Sequence, residues 1–212
     1  MTNQTHTSPS LDGKVVLVTG GARGLGRAYC VAAAAEGASV VAGDVSDCSA
    51  TVAEVEAAGG QAVGVHLDVT DPDSCAGAVA TAVDRFGGLD GLVNNAALYA
   101  GLSSGPFDRI DLGEWEATMR VNVTGVFHMC RAAVGPMRER ETASIVNISS
   151  LAAVYGLPNA LHYTTSKAAV LGITTNVGFL RRRKAFIPAG HFVHRYFTRF
   201  MCVNALRDTT YM

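Results

Sequence analysis

Apolar residues fall in short runs separated by longer amphipathic or alanine-rich stretches. Val15 to Val18 is aliphatic without a polar break, the pattern of a strand buried on both faces. Similar runs return at Ser39 to Gly43, Gln61 to Leu67, Asp90 to Val93 and Ser144 to Ile148. Helical stretches lie between them. The first is alanine-rich and stops at Glu36-Gly37, and a weak one covers Ala50 to Ala58. A third opens at Asp71-Pro72, a favourable cap and first-turn pair, and stops at Gly87-Gly88. A long helix is predicted over Leu112 to Arg138 with a break near Gly135-Pro136, and a last one from near Asn159 to about Val177. Strands alternating with helices predict an α/β protein with a doubly wound parallel sheet. Ligands of such sheets bind beyond the carboxyl ends of the strands. Gly20 to Gly26, Asp44, Asp68, Asn94 and Ser149-Ser150 all fall at those exits.

The first strand runs into Thr19-Gly20-Gly21-Ala22-Arg23-Gly24-Leu25-Gly26 and then into a helix. Glycines there let a phosphate approach a helix N-terminus, where free N–H groups and the positive helix end meet it. Asp44 ends the next strand about 20 residues on, where a carboxylate can accept hydrogen bonds from an adenosine ribose. The order strand, glycine turn, helix, strand, acid favours a dinucleotide site over an ordinary turn with Asp44 as a cap.

Tyr163 and Lys167 are one helical turn apart on a single face. An ammonium beside a phenol favours the phenolate and brings a tyrosine of pKa about 10 towards the working range of a general acid/base. Alone the pair is a weak signal, but it follows Ser150 at a strand exit. Asn122 sits in the middle of the long helix, where asparagine is a poor helix former and has a specific polar task.

These residues together resemble the short-chain dehydrogenase/reductase family over about Lys14 to Asn176. Thr19 to Gly26 matches its TGxxxGxG, and Asn94 to Ala97 matches its NNAG with alanine in the last place. Val121-Asn122-Val123 matches its helix asparagine motif, Tyr163 to Lys167 its YxxxK, and Ser150 its catalytic serine by spacing. The resemblance implies a Rossmann-like fold, a nicotinamide cofactor and interconversion of a secondary alcohol and a ketone. Tyr163 would exchange the proton, and Lys167 would lower its pKa and hold the nicotinamide ribose. Ser150, rather than Ser149, would orient the substrate oxygen, and Asn122 would keep a water in a relay to Lys167. Gly20, Arg23, Gly24, Leu25 and Gly26 would hold the pyrophosphate and Asp44 the ribose. Asp68 and Val69 would face the adenine, and Asn94 and Ala96 would line the cofactor. NAD is expected over NADP, because Asp44 would stand where a 2′-phosphate must go, although Arg23 would suit a phosphate. The resemblance also implies a homo-oligomer built on the two long helices.

Composition changes the picture little along this body. Five widely spaced cysteines without a CxxC pair support neither a disulfide frame nor a metal site, which suits a reducing cytoplasm. The apolar runs are too short to span a bilayer, and residues 1–10 read as a disordered lead-in. Residues 11–177 form the dinucleotide-binding and catalytic unit. From Gly178 the character shifts: residues 178–212 hold Arg181, Arg182, Arg183, Lys184, Arg195, Arg199 and Arg207 against Asp208, with phenylalanines throughout. A basic aromatic tail can bind nucleic acid or membrane. An end that did not evolve with the body, such as a shifted reading frame, is favoured here, so neither partner is expected. The family's last strands are then missing. Ser144 to Ile148 would be an open, aggregation-prone edge, and the chain a poor enzyme. The alternative to an oxidoreductase is a truncated, non-catalytic dinucleotide-binding protein.

Overall fold

The computed structural model describes residues 11–177, 191–192 and 201–207. The lead-in 1–10 and the basic run Arg181 to Lys184 lie outside the described residues. The elements are β1 (Val15–Thr19), α1 (Gly24–Ala35), β2 (Ser39–Asp44), α2 (Ser49–Ala57), β3 (Gln61–His66), α3 (Pro72–Phe86), β4 (Gly91–Asn94), α4 (Leu112–Met119), α5 (Gly125–Arg138), β5 (Thr142–Ile148), α6 (Ala152–Tyr155), α7 (Leu161–Val177), β6 (His191–Phe192) and β7 (Met201–Arg207).

The sheet order is β3-β2-β1-β4-β5-β7-β6, and β3 to β5 are parallel. The chain leaves β1 towards β2 and β3, then returns to lay β4 on the other side of β1. That reversal opens a crevice at the carboxyl ends of β1 and β4. Alternation along β1 feeds both faces. Val15 and Leu17 enter one core with Leu89, Leu92, Met129 and Ile145, while Val16 and Val18 enter the other with Cys30, Val40 and Val55. Each such side chain contributes roughly 1.5–3 kcal/mol on burial, so the five central strands are held from two sides.

Two expectations are corrected. The parallel sheet ends at β5, as expected, but β5 was also expected to be an open edge. Instead β7 pairs antiparallel along all of β5, from Thr142 opposite Arg207 to Ile148 opposite Met201, and β6 pairs with β7. Backbone pairing needs only donors and acceptors at strand spacing, so a segment without the family's motifs can still occupy the place. The second correction concerns the long helix, which is not broken at Gly135-Pro136. Pro136 lies within α5, close to its end at Arg138, so the one i→i−4 bond it cannot make falls in the last turn and the helix continues through it. The interruption is a π-helical turn over Arg120–Thr124, between α4 and α5, and Asn122 is its central residue.

Candidate active site

The first βα turn is shaped by its glycines. Gly20 has φ +69°, and a Cβ there would meet Asn95 Nδ2 at 2.9 Å and Ala96 Cα at 3.0 Å. A Cβ on Gly26 would sit 1.8 Å from the Gly20 carbonyl oxygen. Gly24, at φ +56°, opens onto free space. The start of α1 has neither a side-chain cap nor an acid in its first turn, whereas Asp71 and Asp111 cap α3 and α4. An uncapped helix end behind a side-chain-free turn is a donor set that fits an anionic pyrophosphate. Arg23 is exposed there and Leu25 half-buried.

Asp44 closes the turn from β2. Its carboxylate accepts from the Ala22 amide at 3.1 Å and from the Ser46 amide at 3.0 Å, so it lies between the glycine turn and the loop after β2. Across the switch point Asn95 donates to the Thr19 and Gly20 carbonyls at 3.0 and 3.3 Å. Thr19 Oγ1 accepts from the amides of Asn95 and Ala96, both at 3.0 Å. Thr19 and Asn95 therefore fasten the two halves of the crevice together. Neither stood out in the sequence, although Asn95 is the second residue of the Asn-Asn pair after β4.

Asn94 points into the interior. It donates to Asn147 at 2.8 Å, directly across the β4–β5 register, and Asn147 donates to Thr174 of α7 at 3.1 Å. Asp68 accepts from the Thr70 amide and hydroxyl, each at 2.8 Å, and these bonds hold its carboxyl below the usual range. The Val69 side chain is buried against Gly125, so Val69 offers a ligand only its backbone.

The end of β5 and the start of α7 meet at Lys167. This lysine is only 4% exposed, and Nζ donates to the Ile148 carbonyl at 2.8 Å. It lies 5.8 Å from the centre of the Tyr163 ring. Burial pushes its pKa down to about 8. Ser149 is spent inside, donating to the Lys167 carbonyl at 2.7 Å, while Ser150 is half-buried and accepts from the Ala152 amide at 3.2 Å. Asn122, fully buried, accepts from the Leu98 amide at 2.7 Å and donates to the Leu98 carbonyl and to Ser166 Oγ, both at 3.0 Å. Ser166 in turn donates to the Tyr163 carbonyl at 2.7 Å. The interrupted helix, the loop after β4 and the helix of Tyr163 thus share one buried side chain. Ser166, inside the Tyr-to-Lys interval, was not singled out in the sequence.

A model of the short chain dehydrogenase family matches residues 14–184. A 3-alpha-(or 20-beta)-hydroxysteroid dehydrogenase of Mycobacterium tuberculosis (strain ATCC 25618 / H37Rv) is 47% identical over 167 residues, 79% of this chain and 63% of that protein. A cyclopentanol dehydrogenase of Comamonas testosteroni is 42% identical over 159 residues, 74% of this chain and 62% of that protein. The crystal structure of a short chain dehydrogenase from Mycobacterium avium superposes with TM-score 0.75 at 34% identity, over 79% of this chain and 65% of that one. The chain therefore spans less than two thirds of the length of these relatives. With the family match running from the start of β1 past the end of α7, over the glycine turn and the Tyr163–Lys167 helix alike, the chain belongs to the short-chain dehydrogenase family.

Proposed function

We propose that the protein is a cytoplasmic, NAD-dependent oxidoreductase that interconverts secondary alcohols and ketones. The observation that carries this reading is the buried Lys167 facing the Tyr163 ring at the exit of β5, on the crevice side opposite an uncapped helix end. The bound nicotinamide would accept or deliver the hydride. Gly20, Gly24 and Gly26 with the α1 amides hold the pyrophosphate, and Arg23 and Leu25 flank it. Asp44 would receive the adenosine ribose, with Asp68 and the Val69 backbone beside the adenine, and the Asn94 backbone and Ala96 lining the crevice.

Tyr163 exchanges a proton with the substrate oxygen. Lys167 favours the phenolate by its charge and binds the second ribose, and Ser150 orients the substrate oxygen. Asn122, in the π-turn, keeps the relay behind Lys167 in place. The two relatives above are named for a 3-alpha-(or 20-beta)-hydroxysteroid and for cyclopentanol; the 3-alpha and cyclopentanol hydroxyls sit on rings and the 20-beta hydroxyl beside one. That supports an alicyclic substrate. The competing reading, a truncated, non-catalytic dinucleotide binder, draws on the departure from the family's pattern after Val177 and on a chain that spans less than two thirds of the length of these relatives. The oxidoreductase reading includes self-association through the two long helices, and the exposed Phe127 on α5 supports it. No described helix is long and apolar enough to cross a membrane, and Cys30, Cys48, Cys75 and Cys130 are buried free thiols, as suits a reducing compartment.

Cofactor choice tests the reading of Asp44. A 2′-phosphate beside this carboxylate is repelled by several kcal/mol in a partly dry site, roughly. Quenching of the single tryptophan, Trp115, reports binding of NADH and NADPH separately. NADH should bind more tightly, and Asp44→Ala should narrow or reverse the preference. Equal or tighter NADPH binding by the unaltered chain contradicts the assignment.

A further inference from the structure

We propose that Glu114 is a positioning residue that pins the β4–α4 loop against the start of α7, and that Tyr99, carried on this loop, is a specificity-determining residue beside Tyr163. The proposal rests on the reading of Tyr163 as the proton-transfer group.

One carboxylate joins three segments. Glu114 lies in the first turn of α4, its own amide bonded to the Asp111 cap at 2.9 Å. Its two oxygens accept from the backbone amide and the hydroxyl of Ser103, in the middle of the loop. Oε1 also lies 3.3 Å from Nε2 of His162, which is fully buried and immediately precedes Tyr163. The loop is held at two further points. Both backbone groups of Leu98 are bonded to Asn122, and the Gly105 amide donates to the Asn159 carbonyl at 3.1 Å.

Between these ties the loop presents Tyr99. Its ring centre lies 4.6 Å from that of Tyr163, tilted by 46°, yet the residue is 58% exposed. An aromatic ring fixed against the proton-transfer residue, with most of its surface bare, offers a wall to the carbon skeleton next to the reacting oxygen. The same loop continues into a recess of about 350 Å3 lined by Pro106, Phe107, Leu157, Leu161 and Thr164. That volume is within the range of small-molecule sites, roughly 300–1,000 Å3. The chemistry selected is a compact apolar ring bearing a secondary alcohol or ketone. An acyclic alcohol of two or three carbons would reach Tyr163 without using the wall.

The test compares the full chain with Glu114→Ala, Glu114→Gln, Ser103→Ala and Tyr99→Ala. Three quantities are measured: amide hydrogen exchange of residues 98–106, the ratio of kcat/KM for cyclopentanol to that for propan-2-ol, and NADH affinity. Glu114→Ala should speed exchange in the loop by about tenfold or more and lower the substrate ratio by a similar factor, roughly the loss of one charge-assisted tie. NADH affinity should not change. Glu114→Gln, which can still accept from Ser103, should recover part of both effects. Tyr99→Ala should lower the ratio without speeding exchange. If Glu114→Ala does not fold, Ser103→Ala carries the same comparison from the exposed partner. Unchanged exchange, or an equal fall for both alcohols, overturns the proposal. A chain that turns over neither alcohol refutes the underlying oxidoreductase reading, and the exchange comparison then decides the role of Glu114 by itself.

Discussion

Lys167 donates to the Ile148 carbonyl at 2.8 Å from a position only 4% exposed, so a full ammonium charge is held inside the protein by one backbone oxygen and the nearby Tyr163 ring. Burial lowers its pKa from 10.5 to about 8. Between pH 8 and the unfolded value near 10.4, the unfolded chain binds more protons than the folded one, so stability rises with pH across that window. The cost of holding the charge at pH 7 is on the order of 3 kcal/mol. Lys167→Met should remove this slope. Thermal unfolding of both proteins from pH 7 to 10.5 checks it: the unaltered chain should gain stability relative to the variant as pH rises.

Asp90 shows the opposite sign at the other end of the sheet. Burial disfavours its charge. Hydrogen bonds from Arg140 at 2.9 and 3.0 Å and from the Val15 amide at 3.0 Å, with the charges of Arg140 and Lys14, outweigh burial and hold the carboxyl below its usual range. Stability from this group is present above the unfolded pKa near 3.9 and is lost as pH falls through the lower folded value. Arg140→Ala leaves the buried carboxylate without its fork and should cost about 2–3 kcal/mol at neutral pH. Asp90→Asn should flatten the acid limb of the stability curve, measured by urea unfolding from pH 6 to 3.

The two turn glycines separate steric from conformational demands. Gly26→Ala puts a Cβ 1.8 Å from the Gly20 oxygen. It should displace the turn, cost at least about 2 kcal/mol and abolish dinucleotide binding. Gly24→Ala meets open space but a left-handed backbone, so it should cost about 1–2 kcal/mol and weaken binding only moderately. Calorimetric titration with NADH orders the two, and a harsher effect at Gly24 would contradict this account of the turn.

Much of this was legible beforehand because the relevant signals are local. The both-face burial of Val15 to Val18, the glycine turn and the Tyr163–Lys167 spacing each follow from periodicity within a few residues. The carboxyl-end rule then gathered them at one crevice. What stayed hidden depends on pairing across the chain. Asn95 reaching Thr19, Glu114 reaching Ser103 and His162, and Asn147 standing opposite Asn94 join positions far apart in sequence. The π-turn at Asn122 was missed for a related reason. Pro136 is the more conspicuous local breaker, yet it falls where a helix is about to end. Asn122 interrupts the helix because its side chain serves Leu98 and Ser166. In the strand at Met201–Arg207 only Val203-Asn204-Ala205 faintly echoes the end of the family's sixth strand, without its Pro-Gly turn, and three residues are too weak a local signal to predict pairing with β5.

That pairing carries its own expectation. A chain ending after Val177 would bare the backbone groups of Thr142 to Ile148, an apolar edge open to unwanted pairing. It should elute as aggregate or broad oligomer on size exclusion, while the full chain should elute sharply. Identical profiles would show that β7 does not protect β5.

The central claim is tested most directly by following reduced nicotinamide during incubation of the full chain with NAD and cyclopentanol, with Tyr163→Phe in parallel and NADH affinity measured for both. The substitution deletes the transferable proton and leaves the ring. Turnover should fall by about 100-fold or more, while NADH affinity stays within about threefold, a change under roughly 1 kcal/mol. A Tyr163→Phe protein that keeps most of its turnover, or an unaltered chain that binds NADH and oxidises no secondary alcohol, would contradict the account.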